Sequence, residues 1–341
     1  MSERRSVPNR PKARTDAEPV IIDEQRRRLL GASFAEQQSV VEAQEYDAVR
    51  PRYPQQAVDD ILALAAAAAD PGVEWAISGG KSEPGADIPP LNAHSGWADG
   101  ASGRGGPHSG RAAGVSAASA GAADPRHDAQ PRIVDLGAGT GILSRQLLQA
   151  GARVHAVEPS AAMTQVLSHA AGAWNEQLTI TLARAEETGL PRGQADVAVA
   201  AQAWHWFDAE AVQTEIASLL APGGALALIW NYLDTADPTV HRLTRIMRAG
   251  DTYRPGWRPT LDEQVFTPLR TTEYRWTRTL TAAELFRYAT TLSSWLSAAE
   301  DERARRRANL EDFLHRELGL SSDAPVQLPQ ITALHTARLQ P

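Results

Sequence analysis

Val134-Asp135-Leu136-Gly137-Ala138-Gly139-Thr140-Gly141 is the stretch that decides how this chain folds. A short apolar run ends in three glycines at alternate positions, and a helical apolar pattern starts directly after them. Without a Cβ, such a turn takes left-handed dihedrals and lets a ligand come up against the main chain. The helix start adds oriented N–H groups that favour a carboxylate or phosphate. Two nucleotide-type ligand classes use a turn of this kind. The dinucleotide fingerprint, G-x-G-x-x-G, places its third glycine where this chain has Ile142. Here the third glycine comes one residue early, and Asp135 stands just before the turn.

Outward from the turn, strands are expected at 133–136, 153–157, 178–182, 196–203 and 225–230. Helices are expected at 140–150, 160–171 and 209–220, the last stopped by Pro222-Gly223-Gly224. Strands alternating with helices at this spacing imply a parallel, doubly wound sheet. Farther on, extended segments at 270–280 and 326–339 flank helices at 282–296 and 300–318 and close the sheet edge. The expected fold is α/β, a Rossmann-like, doubly wound sheet of seven strands, mostly parallel, with an antiparallel edge strand. Upstream, a helix at 55–69 shows Val58, Ile61, Leu62 and Leu64 on its apolar side, with Pro54 at its first position. Residues 1–33 read as a flexible tail and 34–341 as one domain. A Gly-, Ala-, Ser- and Pro-rich stretch at about 71–130 interrupts it, too poor in large apolar residues to offset the entropy of ordering.

Composition removes several function classes. The 341 residues contain no cysteine, which excludes disulfides, thiolate metal sites and cysteine nucleophiles. A formal charge of −7 argues against a general nucleic-acid binder. The arginine-rich start lacks the apolar core of a secretory signal. The longest apolar run, 61–69, is too short for a bilayer. The expected partner is a small molecule, with no nucleic acid and no membrane, in the cytoplasm. No metal is expected: His94, His108 and His127 lie in the insertion, and the other histidines show no H-x-x-x-H pairing. Ser144 and Ser168 lack the G-x-S-x-G elbow of hydrolases.

Chemistry-bearing residues gather at the strand ends, where open α/β sheets bind ligands. Glu158 closes the second strand, and a carboxylate there can accept hydrogen bonds from adjacent ribose hydroxyls. The third strand runs into Ala183-Arg184-Ala185-Glu186-Glu187. The fourth runs into Ala201-Gln202-Ala203-Trp204-His205-Trp206-Phe207-Asp208, the most distinctive string in the sequence. With Asp135 and the early third glycine, these segments make the chain resemble class I S-adenosylmethionine-dependent methyltransferases. The resemblance runs from about residue 40 to the end, insertion excepted. Within that family it is similar to a small-molecule branch that includes the trans-aconitate type. Tyr46 and Arg50-Pro51-Arg52-Tyr53-Pro54 match the same branch, whose leading segment folds over the cofactor.

The resemblance implies S-adenosyl-L-methionine as cofactor. It assigns Asp135, Gly137, Gly139 and Gly141 to the methionine end, Glu158 to the ribose, and Ala185 and Glu186 to the adenine edge. Pro159, Met163, Gln202 and Tyr46 complete the cofactor-binding set. His205 is the catalytic candidate, with two readings open: a base taking a proton from a hydroxyl or amine, or a histidine bonded within its own loop. Methyl transfer to a carboxylate needs no base, because positioning carries most of the rate. Trp204, Trp206 and Phe207 wall the pocket or fill the core. Arg50 or Arg52 meets an acidic acceptor or forms a surface salt bridge, and Asn231 contacts substrate or caps its strand. Arg303, Arg305, Arg306 and Arg307 read as a solvated helix face. The function implied is methyl transfer to oxygen or nitrogen of a small molecule, a carboxylate among the candidates. The rivals are a non-catalytic protein that binds the same cofactor and an NAD(P)-dependent oxidoreductase.

Overall fold

The computed structural model describes residues 39–69, 130–249 and 253–341. The tail expected at 1–33 and the insertion expected at 71–130, its last residue apart, lie outside the described residues.

Five strands run parallel: β1 (Arg132–Leu136), β2 (Arg153–Val157), β3 (Leu178–Thr181), β4 (Ala195–Ala201) and β5 (Leu220–Leu233). Two long strands follow, β6 (Arg270–Thr281) and β7 (Pro325–Arg338), and β7 pairs antiparallel with both β5 and β6. The spatial order is β3-β2-β1-β4-β5-β7-β6, so the antiparallel strand sits one place in from the edge. Strand order reverses between β1 and β4, where a doubly wound sheet opens a crevice at its carboxyl end. The glycine turn leaves β1 at that point.

Helices cover both faces, and β1 and β4 accordingly read as nearly unbroken buried runs. One face carries α2 (Gln55–Ala69), α3 (Ile142–Gln149) and α4 (Ala161–Ala170), packed through Ile61, Leu147, Leu167 and Val197. The other carries α5 (Ala209–Leu219) and the segment before β6, through Ile216, Leu219, Leu228, Trp230 and Phe266. Beyond the strand ends a third cluster joins Val49 of α1 (Val40–Val49) to α6 (Pro238–Met247), α7 (Ala282–Thr290), α8 (Ser293–Leu296) and α9 (Glu300–Glu311). Among the described residues no helix is long and apolar enough to cross a membrane.

The structure departs from the expected boundaries in instructive places. β5 starts at Leu220, directly after α5, and takes Pro222-Gly223-Gly224 into a register shift: Ala195 pairs with Leu220, yet Val197 pairs with Ala225. The helix expected at 282–296 is two helices, because Thr290 and Thr291 turn their hydroxyls back onto the carbonyls of Arg287 and Tyr288. The helix expected at 300–318 ends at Glu311 and continues as a π turn, Asp312–Glu317. Its arginines are not uniformly solvated. Arg306 is buried and donates to Glu302 and to the Ser294 carbonyl, and Arg303 donates to the carbonyls of Ala298 and Leu296. They pin α9 to α8 and the turn after it. Two helices lay outside the sequence expectations: α1, with a Ser39/Glu42 capping box, and α6, with Asp237 as N-cap and Pro238 at its start.

Candidate active site

The glycine turn is held to the end of β2 by main-chain bonds, Gly137 N–H and Ala138 N–H both donating to the Val157 carbonyl at 2.9 and 3.1 Å. One residue on, Gly139 N–H donates to Glu158 Oε2 at 2.9 Å, while Glu158 Oε1 accepts from Ser160 N–H at 2.9 Å. Glu158 therefore ties the loop after β1 to the loop after β2. Burial raises its pKa, and the two N–H bonds pull it back.

All three glycines have positive φ, but they answer to different neighbours. A Cβ on Gly137 would lie 2.7 Å from Ala203 Cβ, and one on Gly141 would lie 2.1 Å from Leu167 Cδ1. Gly139, at φ +59°, would meet nothing within 4 Å. Two of the glycines thus serve packing, and the middle one faces open space. Gly141 is the N-cap of α3 in left-handed conformation, with no side chain capping that helix start. Its first-turn N–H groups lack the side-chain acceptor that Ser160 gives α4 or Asp208 gives α5.

Asp135 lies beneath the turn, fully buried. Its Oδ2 accepts from the Ser144 hydroxyl at 2.6 Å, and its Oδ1 has no hydrogen-bond partner. Burial first, then the nearby charge of Glu158, pushes its pKa up to about 7 against the Ser144 bond. The Thr140 hydroxyl is also buried without a partner. Orphaned buried polar atoms are few in native folds and mark strain, catalysis or a missing ligand. Asp135 stands just before the glycine turn, and Thr140 directly follows the glycine that faces open space.

At the end of β4, Gln202 has φ +56°, one of two non-glycine residues with positive φ among those described. Its N–H donates to the Ile229 carbonyl, its Nε2 donates to the Asn231 carbonyl, and its Oε1 is buried without a partner. A side chain held in left-handed backbone at a strand end is the kind of strain that functional sites keep. Trp204, His205 and Trp206 then form one 3-10 turn. Trp204 and Phe207 are buried, with ring centroids 6.3 Å apart, edge to face. The half-buried His205 ring lies against Trp206 at 4.6 Å. Glu186 Oε1 accepts from Asp208 N–H at 3.0 Å, so the turn after β3 holds this loop, and Ala185 is buried in the same apolar cluster as Trp204.

The leading segment packs on α4 and on the end of β5. Tyr46 packs with Ala43, Met163 and Val166, which seats α1 on α4, while Pro159 is exposed. Asp47 pairs with Arg145 of α3, tying α1 to the helix behind the glycine turn. The backbone N–H and carbonyl of Tyr53 are both bonded to the buried Gln146 side chain. The Arg50 guanidinium lies 4.5 Å over the Tyr46 ring and 5.7 Å from the Tyr288 ring centroid, and donates to the Thr291 carbonyl at 2.6 Å. Asn231 donates from Nδ2 to the Arg52 carbonyl and accepts from the Thr332 hydroxyl, so it fastens that segment to β5 and β7.

One cation escaped the sequence reading. Arg278, near the end of β6, lies 5.8 Å from the Tyr288 ring centroid on the rim shared with Arg50, and its NH1 is buried without a partner. Burial lowers its pKa, and the charges of Arg50 and Arg52 lower it further. Burial and then Arg145 do the same for Arg52. The strand ends thus have a polar, orphan-bearing loop on the β1 side and a crowded set of guanidinium groups on the β6 side. Among the described residues no group of three His, Asp or Glu side chains is placed to hold a metal.

Comparison with known proteins bears on this geometry. A family model described as a methyltransferase domain matches residues 134–228, from the glycine turn to β5. A methyltransferase of Mycobacterium tuberculosis is 34% identical over 209 residues, 61% of this chain and 83% of the relative. The chain belongs to the class I methyltransferases. The methyltransferase is also 26% identical over 187 residues to a methyltransferase-like protein of Schizosaccharomyces pombe, covering 53% of this chain and 72% of that one. Among solved structures, a protein described as a type II methyltransferase from Anaeromyxobacter dehalogenans is 27% identical. It aligns with a TM-score of 0.44 over 62% of this chain and 91% of that one. Membership sets aside both the oxidoreductase and the non-catalytic readings.

Proposed function

We propose that this methyltransferase uses S-adenosylmethionine to methylate an oxygen or nitrogen of a small, acidic acceptor, a carboxylate first among them. The observation that carries the reading is Gly139: its N–H is tied to Glu158, a Cβ on it would meet open space, and the same loop carries the unpartnered Asp135 Oδ1 and Thr140 hydroxyl. The residues suit the cofactor. Asp135 and the uncapped start of α3 would hold the ammonium and carboxylate of its methionine end, Glu158 its ribose hydroxyls, and Ala185 with Glu186 its adenine. When bound, S-adenosylmethionine supplies an electrophilic methyl group on sulfonium.

The protein's part is to orient and to exclude water. Tyr46, Met163 and Gln202 close the donor side, and Trp206 with His205 borders the strand-end crevice. Arg278, Arg50 and Arg52 favour an anionic acceptor. Holding the two reactants in line contributes up to roughly 7–11 kcal/mol of barrier reduction, without a base. His205 then orients rather than deprotonates. The Ala201 to Asp208 string and the Arg50 to Pro54 run support the small-molecule branch that resembles trans-aconitate methyltransferases.

Calorimetry with S-adenosylmethionine, S-adenosylhomocysteine and NAD tests the donor. Saturable binding of the first two is expected, and binding of NAD alone would overturn the assignment. A donor-consumption screen over small carboxylic acids, phenols and amines then tests the acceptor. Turnover of amines with no turnover of acids would remove the acidic class.

A further inference from the structure

A second concavity lies away from the glycine turn, on the sheet face that also carries α5. It measures about 310 Å³, at the small end of ligand cavities. Its walls are Tyr232 of β5, Tyr253 and Trp257 of the segment before β6, and Thr271 and Glu273 of β6. Arg254 and Arg258 stand at its exposed rim. His335 of β7 forms its floor, 1% exposed.

His335 is the unexplained group. Its Nδ1 is 2.9 Å from the Thr271 hydroxyl, and its Nε2 is buried with no partner. Trp230 and Trp257 meet the imidazole edge to face, at centroid distances of 5.6 and 6.1 Å. Burial, and after it the charge of Arg258, pushes its pKa down to about 4, so the ring is neutral near pH 7. Of the two tautomers this contact allows, the one in which the Thr271 hydroxyl donates to Nδ1 leaves an N–H on Nε2 that needs an acceptor. A buried, unsatisfied N–H costs roughly 1–3 kcal/mol. Nothing in the donor site uses this group.

The walls say what the acceptor belongs to. Three aromatic rings line one small volume, which favours a flat, apolar body. Of the charged groups, Glu273 is engaged by the Tyr253 hydroxyl, while Arg258 makes, among the described residues, a 3.3 Å contact to the Leu269 carbonyl. Two arginines against one carboxylate leave the rim positive. We propose that this cavity binds an aromatic carboxylic acid, its ring among Trp257, Tyr232 and Tyr253, its carboxylate between Arg258 and Nε2 of His335. The site is independent of the donor assignment, because no residue of the glycine turn contributes to it.

Calorimetric titration of the full chain with benzoate, cyclohexanecarboxylate and benzyl alcohol tests this, on the wild type and on Arg258→Gln, His335→Asn and Arg278→Gln. Benzoate is expected to bind saturably and at least tenfold more tightly than either of the others. Arg258→Gln, an exposed rim change that leaves the melting temperature intact, is expected to weaken it tenfold or more, and Arg278→Gln to leave that Arg258-dependent binding in place. His335→Asn is read only if it melts with the wild type, and it too should weaken benzoate. No binding of benzoate at millimolar concentration would overturn the proposal. So would benzoate binding that Arg278→Gln abolishes and Arg258→Gln does not.

Discussion

Replacing Gly139 with alanine separates a ligand-binding glycine from a packing one. At φ +59° the new residue sits in left-handed backbone, which costs an L-residue about 1–2 kcal/mol. Packing adds nothing to that, since the added Cβ meets no atom within 4 Å. For a chain of this size the melting temperature should fall by about 2–8 °C. If the open space beside Gly139 is where the cofactor lies, the methyl group fills it, and affinity for S-adenosylhomocysteine should drop by at least a hundredfold. Gly141→Ala is the contrast: its Cβ would run 2.1 Å into Leu167 Cδ1, so that variant should lose stability on top of its backbone strain. The assay pairs thermal unfolding without ligand with calorimetry using S-adenosylhomocysteine. A Gly139→Ala protein that melts as expected and binds S-adenosylhomocysteine with wild-type affinity would refute the reasoning, because the space would then belong to no ligand.

Other consequences follow from the same geometry. Asp135 has its folded pKa raised to about 7, above the unfolded value near 4, so the native state holds the extra proton and stability falls as pH rises between the two. Asp135→Asn should flatten that fall, worth up to roughly 4 kcal/mol, in urea unfolding at pH 4.5 and 7.5; an unchanged slope would show that the carboxyl is not titrating there. His205→Ala should lower methyl transfer to a carboxylate by less than about tenfold, short of the 10²–10⁴ a general base contributes; a thousandfold loss in kcat would restore the base. Gln202→Gly relieves left-handed strain while losing one side-chain bond, so net stability should shift by less than about 1 kcal/mol as KM for the donor rises. Asp47→Ala should free α1 from Arg145 and speed proteolytic cleavage near residues 40–50, with the central sheet resistant; equal protection in both proteins would argue that the pair does not hold the helix.

The sheet was legible because alternation and glycine spacing are local. The strands β1 to β4 and the part of β5 after Gly224 are short runs bounded by turn residues, and the reversal at β1 is where Gly137 to Gly141 lies. Glu158 could be found because it ends a strand. Its partners, the N–H groups of Gly139 and Ser160, are main-chain atoms that no residue pattern encodes. Asp237-Pro238 with Val240, Leu243 and Met247 did carry a readable start and apolar face for α6. What no pattern could supply were meetings across long separations: Asp47 with Arg145, Tyr53 with Gln146, Arg278 beside Arg50, and His335 under Trp257. Arg50 shows the limit most plainly. Its type invites an ion pair, and only the fold reveals two tyrosine rings and a carbonyl around it.

Glu158 has a further arithmetic. An ionised carboxylate offers about four lone-pair positions, and two are already engaged by Gly139 and Ser160. Two acceptor positions remain, one on each oxygen, and a vicinal diol brings two hydroxyl protons. The pair of main-chain donors fixes the plane of the carboxylate before any ligand arrives, so the remaining lone pairs are aimed in advance and little rotational freedom is left to lose. Shortening this side chain by one methylene would leave the charge in place and misdirect both bonds at once, while unlatching the two loops from each other.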